Sequence, residues 1–126
     1  MPAKNSVKIY IDNSYYHVYN RCVAGTNIFL YNQYYEIFLH YLEKYLDPSS
    51  QHSLAKHVKL LAYCLMPNHF HLIVAQTENG NISKFMQKIT TAYSMYYNKK
   101  YKRTGSLFEG KFKSEHVADD RYLKYL

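Results

Sequence analysis

The chain has 126 residues with 16 Lys/Arg against nine Asp/Glu, a formal net charge of +7, and 48% hydrophobic residues. That length supports one domain, residues 1–126, closed around a single core without disulfide or metal staples, and no apolar run is long enough to span a bilayer. Met1 to Ser6 has neither an apolar h-region nor a small-residue cleavage site, so a cytoplasmic protein is expected. Cys22 and Cys64 lie far apart without Cys-x-x-Cys spacing, which argues against a cysteine zinc site or a disulfide framework. Both are expected to be buried, reduced thiols.

In chain order, Ser14 to Asn20 is aromatic and β-branched enough for a first strand. Tyr34, Phe38, Tyr41, Leu42 and Tyr45 recur at helical spacing and predict an amphipathic helix over Tyr31 to Leu46, stopped by Asp47-Pro48-Ser49-Ser50. Val58 to Met66 and His69 to Ala75 flank Pro67-Asn68, the pattern of two strands joined by a tight turn. Beyond the turn signal Glu78-Asn79-Gly80-Asn81, a stripe from Ile82 through Phe85, Met86, Ile89 and Tyr93 to Tyr97 predicts a second, longer helix. Gly105 and Gly110 bracket a short loop, Phe112 to Val117 fits a last strand, and Asp119-Asp120 opens a terminal helix. The order βαββαβα is that of a ferredoxin-like α+β sandwich, an antiparallel sheet with helices packed on one face.

The positive charge is local. From Asn81 onward there are ten Lys/Arg against four Asp/Glu, whereas the first 80 residues carry six and five. With aromatic residues interleaved, such a surface suits single-stranded nucleic acid; the plain alternative is a solvated helix face. The 16 tyrosines prove nothing by themselves, because a coding bias yields the same abundance.

Within Pro67-Asn68-His69-Phe70-His71-Leu72-Ile73-Val74, strand alternation puts His69, His71 and Ile73 on one face and Phe70, Leu72 and Val74 on the other. The two histidine Cα atoms then lie roughly 7 Å apart, close enough for both rings to meet one ion. Neutral imidazole suits borderline transition metals, and two ligands leave coordination positions open for substrate oxygens. The competing reading is a pair of ordinary half-buried sheet histidines. His17 and His116, on neighbouring strands, can reach the same region, whereas His40, His52 and His57 have no evident partner.

His69-Phe70-His71 resembles the His-hydrophobic-His signature of the HUH endonuclease superfamily, and the run Ala62 to Val74 resembles one branch of it, the single-tyrosine transposases of insertion sequences and REP-associated tyrosine transposases. Tyr16 to Arg21, Arg103 to Phe112 and Asp119 to Leu123 agree with the same branch, so the resemblance spans nearly the whole chain. It implies a transposase that cuts and rejoins single-stranded, hairpin-associated DNA. His69 and His71 would hold a divalent ion, Mg or Mn, and a tyrosine hydroxyl would attack the scissile phosphate to leave a 5′-phosphotyrosine link.

In the resembling proteins that tyrosine lies on the last helix, a few residues after the block matching Asp119 to Leu123, with an Asn or Gln one turn further on. The nucleophile is therefore expected just after Leu126, in a chain that stops within the tyrosine helix, with Tyr125 as the nearest candidate here. Tyr122 and Tyr125 share a helix face, and packing is the alternative role for both. Arg21, Lys99, Lys100, Lys102, Arg103, Lys111 and Lys113 are expected to hold the DNA backbone. A homodimer is a further expectation, because some relatives exchange the tyrosine helix between subunits. Two other readings remain open: a catalytically silent module that binds single-stranded or hairpin DNA, and a different histidine-metal hydrolase, disfavoured because no carboxylate cluster accompanies the pair.

Overall fold

A computed structural model describes residues 14–25, 27–29, 31–51, 53–77 and 81–117. Its elements are β1 (Ser14–Arg21), α1 (Asn32–Tyr45), β2 (Val58–Met66), β3 (His69–Gln76), α2 (Asn81–Tyr101) and β4 (Lys113–Val117). The four strands form one antiparallel sheet in the order β2-β3-β1-β4, the ferredoxin-like arrangement expected from the sequence. The expected terminal helix lies outside the described residues.

Both helices cover one face of the sheet. In β1 Tyr16 and Val18 point inward, and in β3 Phe70, Leu72 and Val74 do, each shielded from water. Above them sit Tyr34, Phe38 and Leu42 of α1 and Ile82, Phe85, Met86, Ile89 and Tyr93 of α2. Phe38 is the hub, with ring centroids 5.3 Å from Phe29, Phe70 and Tyr93. Such tilted and edge-on contacts suit the aromatic quadrupole and add to the stabilisation from burial. Tyr93 keeps its polar end satisfied by donating to the Ile28 carbonyl at 2.7 Å.

The helix ends follow from local chemistry. Asp47 stops α1 by accepting from the Ser49 amide at 3.0 Å and the Ser49 hydroxyl at 2.8 Å, a turn that competes with helix. At the start of α2 the buried Gln76 side chain accepts from the Ile82 amide at 3.1 Å, satisfying a donor that the helix itself cannot. The β2–β3 hairpin turns on Pro67 and Asn68. Their carbonyls accept from the amides of Phe29 at 3.1 Å and Cys22 at 2.9 Å, so the residue entering β3, His69, starts from an anchored turn.

Candidate functional site on the open sheet face

The antiparallel register decides which side chains join the histidine pair. Arg21 lies opposite His69, and Tyr19 opposite His71; His17 follows on the same face. On the outer side of β1, Lys113 lies opposite Tyr19 and Glu115 opposite His17. Met66 and Cys64 of β2 stand opposite His69 and His71. Residues far apart in the chain thus converge on the face that α1 and α2 do not cover.

At one end of this face a cleft of about 450 Å³ is lined by Tyr19, Asn20, Arg21, Cys22, Asn68, His69, His71, Glu109 and Lys113. Its far wall is the loop before β4. That loop is tied to β1 by amide bonds from Val23 to the Leu107 carbonyl at 3.0 Å and from Glu109 to the Arg21 carbonyl at 2.9 Å. Gly110 permits the approach, with φ of 61°, a left-handed conformation costly for other residues, and its carbonyl accepts from the buried Asn20 amide at 3.2 Å. Asn20 also lines a second, larger groove of about 800 Å³ between α2 and this loop, which holds Lys111.

The histidines form a short network. His69 Nδ1 donates to the Asn68 side-chain oxygen at 2.7 Å, and His71 Nδ1 lies 2.9 Å from His17 Nε2. The His69 and His71 rings sit 5.2 Å apart, nearly perpendicular, and the His17 and His71 rings stack at 5.0 Å. Burial pushes His17 and His71 below the ordinary 6.5; Glu115 opposes this at His17, while His17 and His69 add to it at His71. Both rings are therefore neutral near pH 7, the form that ligates metals. Among the described residues no group of three or more His, Cys, Asp or Glu is placed to hold an ion. The donor set fits a metal bound by two imidazoles with its other positions open to water and phosphate oxygens, rather than a closed structural site.

The remaining candidates separate. Arg21 and Lys113 line the cleft, and Arg21 pairs with Glu109 at 3.8 Å across its mouth. Lys99 and Lys102 are exposed at the end of α2, while Lys100 holds its ammonium 4.9 Å over the Tyr34 ring. Arg103 is half-buried and binds the Asn98 side chain at 2.7 Å and the Ser106 carbonyl at 3.4 Å, which shapes the loop from within. Tyr93 and Tyr97 are buried in the core, as their helical spacing implies. His116 faces Tyr16 with ring centroids 5.2 Å apart, on the side away from the cleft. His57 bonds the Thr77 hydroxyl at 3.2 Å. Tyr122 and Tyr125 lie outside the described residues.

Cys22 is buried, and burial pushes its thiol up to about 12, so it is inert. Cys64 corrects the expectation of two buried thiols. It is exposed, because it lies opposite His71 on the edge strand β2, on the face that α1 and α2 do not cover.

Tyr19, Asn20, Asn68 and Glu109 are cleft residues that the sequence alone does not single out. Tyr19 donates its hydroxyl to Glu115 at 3.3 Å and stacks 5.6 Å from His71. Its parity with His17 along β1 is the available signal, but only the β1–β3 pairing shows that this parity meets the histidines.

The sheet face that α1 and α2 do not cover thus carries two oriented imidazoles beside basic side chains. The profile of the family described as "Transposase IS200 like" matches residues 10–125, and the chain belongs to that family. Among solved structures, a REP-associated tyrosine transposase bound to a REP hairpin matches with TM-score 0.72 and 11% identity, over 98% of this chain and 67% of that one. A putative transposase from Deinococcus radiodurans matches with TM-score 0.64 and 13% identity, over 95% of this chain and 91% of that one. No curated protein matches the chain.

Proposed function

We propose that this transposase cuts and rejoins single-stranded DNA next to a hairpin, with the scissile phosphate in the cleft beside His69 and His71. The observation that carries the reading is the convergence of that pair with Arg21 and Lys113 on one open cleft. It is supported by the family and by the hairpin held by the structural neighbour.

His69 and His71 would hold the divalent ion, Mg or Mn, and a bound ion supplies Lewis-acid polarisation of a phosphate oxygen. The chain's own residues do the rest. Arg21 and Lys113 bind the phosphates flanking the scissile one, and Glu109 holds Arg21 across the cleft mouth. Lys99, Lys100 and Lys102 extend the backbone contacts along the end of α2, and Lys111 extends them into the adjoining groove. Arg103 acts on DNA through the loop that it shapes.

Tyr19 is pinned on a paired central strand and bonded to Glu115, so it positions His71 and is not the nucleophile. That role falls to a tyrosine after β4, with Tyr125 the candidate. Its proton must leave as the oxygen attacks, because a phenol with pKa about 10 is a weak nucleophile at pH 7. The exposed apolar side chains Leu61, Tyr63 and Met66 on the edge strand β2 support a homodimer, which would cover them.

Incubation with labelled single-stranded hairpin DNA and Mn²⁺ tests this. A covalent protein–DNA adduct, lost in His69→Ala, is expected. Tight binding without any adduct would instead mark a silent hairpin-binding module.

A further inference from the structure

Both candidate ligands are gripped at the same ring atom. The Asn68 side-chain oxygen can only accept, so at 2.7 Å it fixes the His69 proton on Nδ1 and leaves the Nε2 lone pair free. His71 Nδ1 lies 2.9 Å from His17 Nε2, and in the tautomer that keeps the His17 proton on Nδ1 it donates there and leaves the His71 Nε2 lone pair free. His17 itself does not line the cleft, whereas His69, His71 and Asn68 do. Its other nitrogen, Nδ1, is buried with no hydrogen-bond partner among the described residues. An imidazole spent on its neighbour from behind the cleft does not serve as a ligand.

The grips come from different places. Asn68 sits in the anchored hairpin turn immediately before β3, and its carbonyl is bonded to the Cys22 amide. His17 comes from the adjacent strand, where pairing with β3 fixes its backbone and stacking on Tyr19 at 4.9 Å fixes its ring. The two ligand rings are thereby oriented nearly at right angles without relying on each other.

We propose that Asn68 and His17 are positioning residues that hold His69 and His71 by Nδ1 and so present both Nε2 atoms to a metal ion in the cleft. This rests on the reading of His69 and His71 as metal ligands and adds which atoms bind and what holds them. Partners of this kind fix the tautomer and ring orientation of a ligand, and their loss typically lowers metal affinity by about 10- to 100-fold.

The test uses Zn²⁺ alone, a diamagnetic ion suited to imidazole, with the imidazole ¹⁵N signals of the chain and calorimetry as readouts. Zn²⁺ should move the Nε2 signals of His69 and His71 while their Nδ1 atoms stay protonated. Asn68→Leu and His17→Phe should each weaken Zn²⁺ binding about 10- to 100-fold. Asn68→Asp and His17→Gln, which keep an acceptor at the same place, should recover most of it. Thermal melts identify any variant that fails to fold, and the acceptor-retaining variants then carry the comparison. Coordination through Nδ1 of either ring, or unchanged affinity in folded Asn68→Leu and His17→Phe, would overturn the positioning roles while leaving the ligand pair intact. If Zn²⁺ perturbs neither ring, or binds His69→Ala as well as the parent, both the pair and the positioning roles fall.

Discussion

Phe70, Leu72 and Val74 on one face of β3 are sealed from water, whereas His69 and His71 on the other remain half-buried at the cleft. The two sets alternate residue by residue along the same strand. Stability and chemistry are thus separated by the pleat, and a one-residue slip of β3 would exchange them. The inward face fixes the register. The outward face then has its geometry determined without having to contribute much to the fold.

The largest expected effect lies on the inward face. Phe70→Ala removes a ring that meets Phe38 at 5.3 Å and Phe108 at 5.6 Å, and should cost about 3–5 kcal/mol in a denaturant melt. A cost below about 1 kcal/mol would mean that the face is not the core. His69→Ala, one residue away, should shift stability by no more than about 0.5 kcal/mol while abolishing the DNA adduct. Loss of adduct accompanied by an equal loss of stability would erase the distinction between the faces.

That division is legible in the sequence, because alternation is written into His69 to Val74 itself. The two helices are legible for the same reason: Tyr34, Phe38 and Leu42, and the stripe from Ile82 to Tyr97, carry their period locally. The company that His71 keeps is not. Tyr19 and His17 reach it through a pairing between strands about 50 residues apart, and Lys113 through a third strand, and no short segment encodes that register. Cys64 misleads because β2 reads as a buried apolar strand, and only the pairing opposite His71 shows that it lies on the face that α1 and α2 do not cover. Arg103 reads from its basic run as a phosphate contact, and only the fold shows that its guanidinium also binds Asn98 and Ser106.

This distinction between exposed and engaged cations can be measured. Lys99→Glu/Lys102→Glu should weaken binding to single-stranded hairpin DNA, with the slope of log affinity against log salt falling by up to about 0.7 for each phosphate no longer neutralised. Melting should be unaffected. Arg103→Ala should act in the opposite sense, lowering the melting temperature through the loop it holds and changing the salt slope little. Matching salt slopes for the two variants would show that Arg103 does contact phosphate.

The smallest effect is that of pH on the outward face. In the unfolded chain His17 and His71 take up protons near the ordinary 6.5, whereas in the folded protein burial holds both below it. Above that pH both states are neutral and folding is indifferent to these rings. As pH falls below it, the unfolded chain binds protons that the folded chain refuses, so stability declines until the lowered folded values are reached. Glu115, facing His17 from β4, moderates the decline, and at His71 the neighbouring His17 and His69 deepen it. Because both rings keep partial contact with water, the expected size is only a few degrees of melting temperature between about pH 7 and pH 5. His17→Gln removes one titrating ring and relieves the other of its neighbour's charge, so the variant's melting temperature should vary less over that interval than the parent's. A parent protein that melts higher at pH 5 than at pH 7, with the rise lost in His17→Gln, would mean that these rings gain protons on folding.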